Sequence, residues 1–334
     1  MRTSRCVCDA TLFFGNRQCL RCGRTVVRCP VCERTAAVDG AGSGHLICHG
    51  PGCGAELRLC ENASAYSICN GAVAADSDHS RCRYCGLNAV IPSLQVPGNL
   101  EKWSSLETAK HRVLAGFEAA GFRLSDAAVD DAPPLRFEFK EDGEEVVTTG
   151  HWQGVITIKL AEADSVFRER ARVSFGESKR TLADHFRHEL GHYVWDWRVD
   201  PHRLDAFRGL FGDERNPTYA DAQDQYYNGG PPDDWPQRTI TRYASMHPWE
   251  DFAETFRIYL EQHDTLWTAV DFGLVPRPPE TFEDRFTASC DLGLALTELS
   301  RDLGVGDMFS ANLPGPVVRK LAFIDGLSSA GSAT

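Results

Sequence analysis

Lysine is absent from residues 1–90, and beyond Cys85 only one cysteine, Cys290, occurs. Long hydrophobic runs are missing throughout. No uninterrupted apolar stretch approaches the ~20 residues of a membrane-spanning helix, which excludes a helical integral membrane protein. The opening Met1-Arg-Thr-Ser-Arg-Cys6-Val-Cys8 carries charge but no apolar core, so it does not read as a secretory signal and a cytoplasmic protein is expected. A basic excess is also lacking: 35 Lys plus Arg face 47 Asp plus Glu, a net charge of −12. That balance argues against a protein that wraps DNA with its whole surface. Apolar residues at 42% and charged residues at 25% exclude a disordered, collagen-like or coiled-coil chain. There is no internal repeat, and the only low-complexity tract is a Ser/Ala/Gly tail at 328–334.

What is present falls into two chemically different regions. A length of 334 residues accommodates two domains or more. Residues 1–90 hold ten Arg and seven acids, net +3, whereas the rest carries 25 basic and 40 acidic side chains, net −15. Twelve of the thirteen cysteines lie between Cys6 and Cys85. They fall in pairs: Cys6 and Cys8, Cys19 and Cys22, Cys29 and Cys32, Cys48 and Cys53, Cys60 and Cys69, Cys82 and Cys85. Three pairs are C-x-x-C, a spacing that lets two thiolates from one tight knuckle reach a tetrahedral zinc ion at ~2.3 Å. Taken in order, the pairs make three four-cysteine sites with none left over: 6/8/19/22, 29/32/48/53 and 60/69/82/85. Interleaved groupings use the same residues, and His45 and His49 beside Cys48 are alternative ligands, although loop histidines are ordinarily solvated. A disulfide framework is the rival, but it needs an oxidising compartment. Zinc ribbons of this kind have hardly any core, so metal ligation supplies most of their folding free energy. Arg17, Arg21, Arg24 and Arg28 lie among the knuckles without the aromatic interleaving of a single-strand binding platform, apart from Phe13 and Phe14. Docking of a protein partner is therefore favoured over nucleic-acid binding.

Residues 91–100, with two prolines and a glycine, read as a linker between a ribbon region (1–90) and a second domain (101–327). Helical periodicity runs over 101–120, 181–197, 201–211, 219–227, 248–266, 281–303 and 315–327. Leu135-Arg-Phe-Glu-Phe-Lys140 alternates as a strand, with Asp142-Gly143 as a turn and 145–147 as its returning partner. Gly154-Val-Ile-Thr-Ile-Lys-Leu160 is a further strand. The second domain thus reads as α+β, a few strands followed by a run of helices.

Inside the 181–197 helix stands His188-Glu189-Leu190-Gly191-His192. Histidines four apart share one helical face and can both bind zinc at ~2.0–2.1 Å. Glu189 is then placed to take a proton from a metal-activated water. The motif alone is only moderately specific, and its bland alternative is a surface helix with two accidental histidines. Phe186, Leu190, Tyr193, Val194 and Trp195 argue for burial instead. A catalytic site needs a third protein ligand. Glu250 and Glu254, four apart among Trp249, Phe252 and Phe256, supply one ligand and one acceptor for a ligand histidine's free N–H. His247, just outside the helix that Pro248 opens, competes with Glu250 for the third place. Tyr243 is either an oxyanion-stabilising phenol or an ordinary core tyrosine.

Cys6-x-Cys8, Leu12-Phe-Phe-Gly-Asn16, Cys19-Leu-Arg-Cys-Gly23, Trp103 to Lys110, Phe186-Arg-His-Glu-Leu-Gly-His-Tyr193, Phe211-Gly-Asp-Glu214 and His247-Pro-Trp-Glu-Asp-Phe-Ala-Glu-Thr-Phe256 together resemble the bacterial zinc-binding metallopeptidases that carry an N-terminal zinc ribbon. This chain departs from that pattern in having cysteines for three ribbon sites where the family carries one or two. More locally, Thr241-x-Tyr243 with Glu250-x-Phe-Ala-Glu254-x-Phe256 is similar to the catalytic segment of the anthrax lethal factor-like gluzincins. That similarity implies Glu250 as third zinc ligand and Tyr243 as a catalytic aid. The combined expectation is a zincin-like, gluzincin-type peptidase. One catalytic zinc is held by His188, His192 and Glu250, Glu189 is the base, and three structural zincs sit in the ribbons. Its substrate is a protein or peptide. The alternative is a non-catalytic zinc scaffold, with nucleic-acid binding through the arginines as a further option.

Overall fold

The computed structural model describes residues 3–40, 45–124, 133–144, 146–175, 179–199, 203–276, 280–305 and 312–328. Most of the Ser/Ala/Gly tail therefore lies outside the described residues. The fold is α+β: a cysteine-rich ribbon region, then a mainly helical part with small sheets. Its contacts form two compact units. The first comprises residues 1–115, 136–148 and 158–164; the second comprises 116–135, 149–157 and 165–334.

In the first unit, β1 (Ser4–Arg5) and β2 (Thr11–Leu12) form a small hairpin. Five short strands make an antiparallel sheet in sequence order: β3 (Val26–Arg28), β4 (Thr35–Asp39), β5 (Leu46–Cys48), β6 (Glu56–Leu59) and β7 (Ala72–Ala74). Val27, Val38, Leu46 and Leu57 are buried, but Cys29 and Cys48 belong to the same cluster. So little apolar surface is enclosed that the cysteine clusters must hold the strands in place. Helix α1 (Glu61–Tyr66) and strand β8 (Asn88–Val90) follow, then α2 (Asn99–Ala119) and β9 (Arg136–Lys140). Helix α2 buries Trp103, Leu106 and Lys110, with Trp103 edge-on to Tyr66 at 5.7 Å.

The strand expected at 145–147 as partner of β9 is not formed at Val146 and Val147, and Glu145 lies outside the described residues. Asp142 captures the Val147 N–H in its carboxylate at 2.8 Å, which withdraws that donor from any ladder. On one side β9 pairs with β8, in parallel.

The second unit holds the hairpin strand β10 (Gly150–Trp152), paired antiparallel with β11 (Val155–Lys159) through Gly150↔Thr157 and Trp152↔Val155. Its two-residue turn places Gln153 and Gly154 at positive φ. A side chain on Gly154 would also strike the Pro134 carbonyl, 2.7 Å from an ideal Cβ. Helices then follow in succession: α3 (Ser165–Phe175), α4 (Leu182–Val194), α5 (Leu204–Phe211), α6 (Tyr219–Gly229), α7 (Trp235–Arg238), α8 (Pro248–Asp271), α9 (Phe282–Asp302) and α10 (Gly315–Asp325). Thr181 caps α4 reciprocally with Asp184 in a capping box, and Thr218 and Thr281 cap α6 and α9. Helix α3, rich in arginine, and the short α7 are not among the helices expected from the sequence. The core is aromatic: Phe117, Phe122, Phe207, Phe252 and Phe256 are buried and in mutual ring contact. Among the described residues, no helix is long and apolar enough to cross a membrane.

Candidate zinc sites

The three cysteine groupings expected from chain order are the groupings that the fold brings together, with sulfur atoms within 4.8 Å of one another in each. Sulfurs facing across the sites are 3.6 Å apart for Cys6–Cys22 and Cys8–Cys19, 3.8 Å for Cys29–Cys53, 3.9 Å for Cys32–Cys48 and 3.6 Å for Cys69–Cys85. Four ligands at ~2.3 Å on a tetrahedron stand about 3.8 Å apart, whereas a disulfide needs about 2.05 Å. All thirteen cysteines are free thiols, and the spacing fits zinc rather than the disulfide framework. His49 pairs with Asp39 at 2.8 Å and is outside these clusters, as is His45.

A separate grouping, free of cysteine, is His188, His192 and Glu250. Helix α4 offers both histidines from one face, and α8 crosses it at Gly191. A side chain at Gly191 would meet the Cα of Ala253 only 2.8 Å from an ideal Cβ. Glycine therefore permits the close crossing that carries Glu250 and Glu254 up to the histidines. The two Nε2 atoms face each other at 3.1 Å. Glu250 completes the triangle with Oε2 3.0 Å from His188 Nε2 and Oε1 3.6 Å from His192 Nε2. Ligand atoms around a tetrahedral zinc with N and O bonds of ~2.0–2.1 Å lie about 3.3 Å apart, so these residues fit the ion.

Surrounding groups fix each ligand. His188 Nδ1 meets Glu254 Oε1 at 2.9 Å, and Arg257 grips the same carboxylate through Nε at 3.0 Å and Nη2 at 3.1 Å. With that partner on Nδ1, the Nε2 lone pair is directed into the triangle. The ring of His192 lies against Trp249, centroids 3.9 Å apart. Burial opposes charge on His188, but Glu250 and Glu254 outweigh it and raise its pKa well above the ordinary value. Burial likewise disfavours an ionised Glu250, yet His192 and His188 hold it well below the usual carboxylate range.

Glu189, the candidate base, is buried, and among the described residues its Oε2 has no hydrogen-bond partner. Burial raises its pKa, against the pull of His188 and His192. Tyr243 stands beside the site with its ring 6.1 Å from that of His188. Burial and then the Glu250 carboxylate push its phenol well above the normal range, so it remains a hydrogen donor.

His247 is not in the triangle. Its Nε2 donates to the Glu214 carbonyl at 3.0 Å, and its Nδ1 accepts the Trp249 N–H at 3.2 Å, capping α8. Both ring nitrogens are thereby engaged. This also accounts for the Phe211-Gly-Asp-Glu214 motif. Gly212 adopts φ +106 against Pro248, Glu214 presents its carbonyl to His247, and Arg208 holds the Glu214 side chain at 2.9 Å.

Tyr219 escaped sequence reasoning. Its hydroxyl donates to Glu250 Oε1 at 2.9 Å, and its ring abuts His247 and Trp249. It lies thirty-one positions before Glu250 at the start of α6, and no spacing rule links such residues.

The chain matches the family of "putative zinc-binding metallo-peptidase" proteins over residues 99–327, and a zinc-ribbon domain over residues 3–96. Uncharacterized proteins from Mycobacterium bovis and Mycobacterium tuberculosis are 34% identical to it over 336 aligned positions, covering 97% of this chain and 94% of each relative. No solved structure matches, so the likeness to lethal factor rests on its short sequence stretch alone. With its ribbon region in front and the histidine-bearing helix inside the matched segment, the chain belongs to this zinc-binding metallopeptidase family.

Proposed function

We propose that the protein is a gluzincin-type peptidase that hydrolyses peptide bonds at His188, His192 and Glu250, with three further zincs in the ribbons. The observation that carries this reading is Glu189. A purely structural metal site has no use for a buried carboxylate whose free oxygen lacks a protein partner beside the ligands. A zinc ion held by the triad supplies Lewis acidity and brings the pKa of water towards ~7. Glu189 accepts the proton of the attacking water at its carboxylate and returns it to the leaving amine. Tyr243 donates its phenolic hydrogen to the developing oxyanion. Glu254, backed by Arg257, keeps His188 in one tautomer, and Tyr219 orients Glu250. Turnover of a peptide library by the zinc-loaded chain, lost on chelation and regained with added zinc, tests the assignment.

Tyr243→Phe is expected to lower kcat by about tenfold or more with KM nearly unchanged, because the lost bond is made only in the transition state. Equal kcat values for the two proteins would assign Tyr243 to packing alone.

We read the ribbon region as a docking surface for protein. Support comes from the knuckle tips, where Leu20 is 94%, Val31 59% and Val7 50% exposed. Apolar tips suit a protein surface better than a phosphate backbone. Nucleic-acid binding by the whole chain is accordingly expected to be weak and nearly flat with salt. A steep fall of affinity with salt would replace docking by nucleic-acid binding.

A further inference from the structure

The third cysteine cluster differs from the other two in its surroundings. Cys60, Cys69, Cys82 and Cys85 are all buried, whereas each of the first two clusters leaves two cysteines partly exposed. Four thiolates on a divalent ion leave a net negative charge, and burying charge is costly unless hydrogen donors face it. The Cys82 N–H supplies one donor, to Cys60 Sγ at 3.2 Å.

A second donor comes from α2. His111 Nε2 lies 3.4 Å from Cys85 Sγ and 3.1 Å from Glu107 Oε2. Glu107 and His111 are four residues apart, on one face of the helix. The other oxygen of Glu107 is already taken up: Oε1 receives Trp103 Nε1 at 3.1 Å, Lys110 Nζ at 2.9 Å and Asn88 Nδ2 at 2.5 Å. Lys110 is itself fully buried over the Phe137 and Phe139 rings and also bonds to Asn88, so its ammonium keeps the carboxylate ionised in place. His111 is held from the side by Tyr84, edge-on at 5.2 Å. A nitrogen placed between a carboxylate and a thiolate faces two groups that only accept, so it carries the hydrogen.

We infer that His111, seated on Glu107, donates its Nε2–H to the Cys85 thiolate and makes the third cluster the one from which zinc is lost most slowly. This rests on the reading of that cluster as a zinc site. A hydrogen bond to a ligating sulfur lowers its electron density, which weakens its attack on electrophiles and favours retention of the metal. The pair Glu107–His111 thus fastens the last ribbon site to α2, and metal at that site stabilises the helix as well as the knuckle.

The test follows zinc release from the full-length chain into a chromogenic chelator during alkylation with N-ethylmaleimide, with peptide mapping of the modified cysteines. Wild type is compared with His111→Phe, which keeps a ring against Tyr84, and His111→Gln, which restores an N–H. In wild type the four cysteines of the third cluster are expected to react last. In His111→Phe they are expected to react about 10–100-fold faster, with matching zinc release and no change at the other eight ribbon cysteines. His111→Gln is expected to recover most of the protection. Unchanged kinetics in His111→Phe would overturn the inference, and so would equal acceleration at all three clusters. A fifth metal per wild-type chain would also overturn it, by making Cys85, Glu107 and His111 a cation site of their own. Should His111→Phe not fold, the cadmium-substituted wild type decides: a magnetic coupling between cadmium and the His111 Nε2 proton is expected, and its absence would refute the bond. If the third-cluster cysteines of wild type react at once and no zinc accompanies them, the zinc reading of that cluster fails instead.

Discussion

Replacing His188 and His192 together by alanine is expected to take the zinc content from four ions per chain to three, measured by native mass spectrometry. The two imidazoles supply two of the three protein ligands in the triangle, and Glu250 alone is not a zinc site. The twelve ribbon cysteines form clusters that share no residue with it, so three ions should survive unchanged. A count of three in both proteins, not raised by added zinc, would remove the catalytic metal. The chain would then read as a zinc-binding interaction scaffold. Loss of more than one ion would mean that the sites fold as one cooperative body.

Glu189→Gln is expected to reduce peptide turnover by about 10²–10⁴-fold while leaving the zinc content at the wild-type value. The amide keeps the shape of the side chain and cannot accept the proton. Metal is retained because Glu189 is not among the ligand atoms that converge. The result should appear in kcat and in kcat/KM together, since proton transfer belongs to the transition state and not to substrate binding. Wild-type turnover by the Glu189→Gln variant would sink the mechanism, whatever its zinc content.

These two experiments probe the parts of the site that a linear pattern displays. Histidines four apart must share a helix face, and cysteines in knuckles two or three residues apart must converge, because local backbone geometry leaves few alternatives. Consecutive fours are the simplest reading of the number and order of the cysteines, but interleaved groupings use the same residues, and the fold chose between them. By itself, then, the sequence determined the α+β class, zinc binding, the helix that carries the paired histidines and the family.

Tertiary structure decided what depends on residues far apart in the chain. His247 and Glu250 were both acceptable third ligands by composition. The fold brings Glu250 and not His247 up to the two histidines, and the Glu214 carbonyl, thirty-three positions earlier, occupies His247 Nε2. Tyr219 reaches Glu250 only through the folding of α6 against the start of α8. β9 pairs with β8 on one side, and Val147 is kept out of the ladder because Asp142 takes its backbone donor. Spacing alone puts His111 and Glu107 on one face of α2, and only the fold sets them against Cys85. Each outcome turns on which polar atoms are brought within hydrogen-bonding reach of one another, a condition set by packing in three dimensions and invisible to periodicity along one.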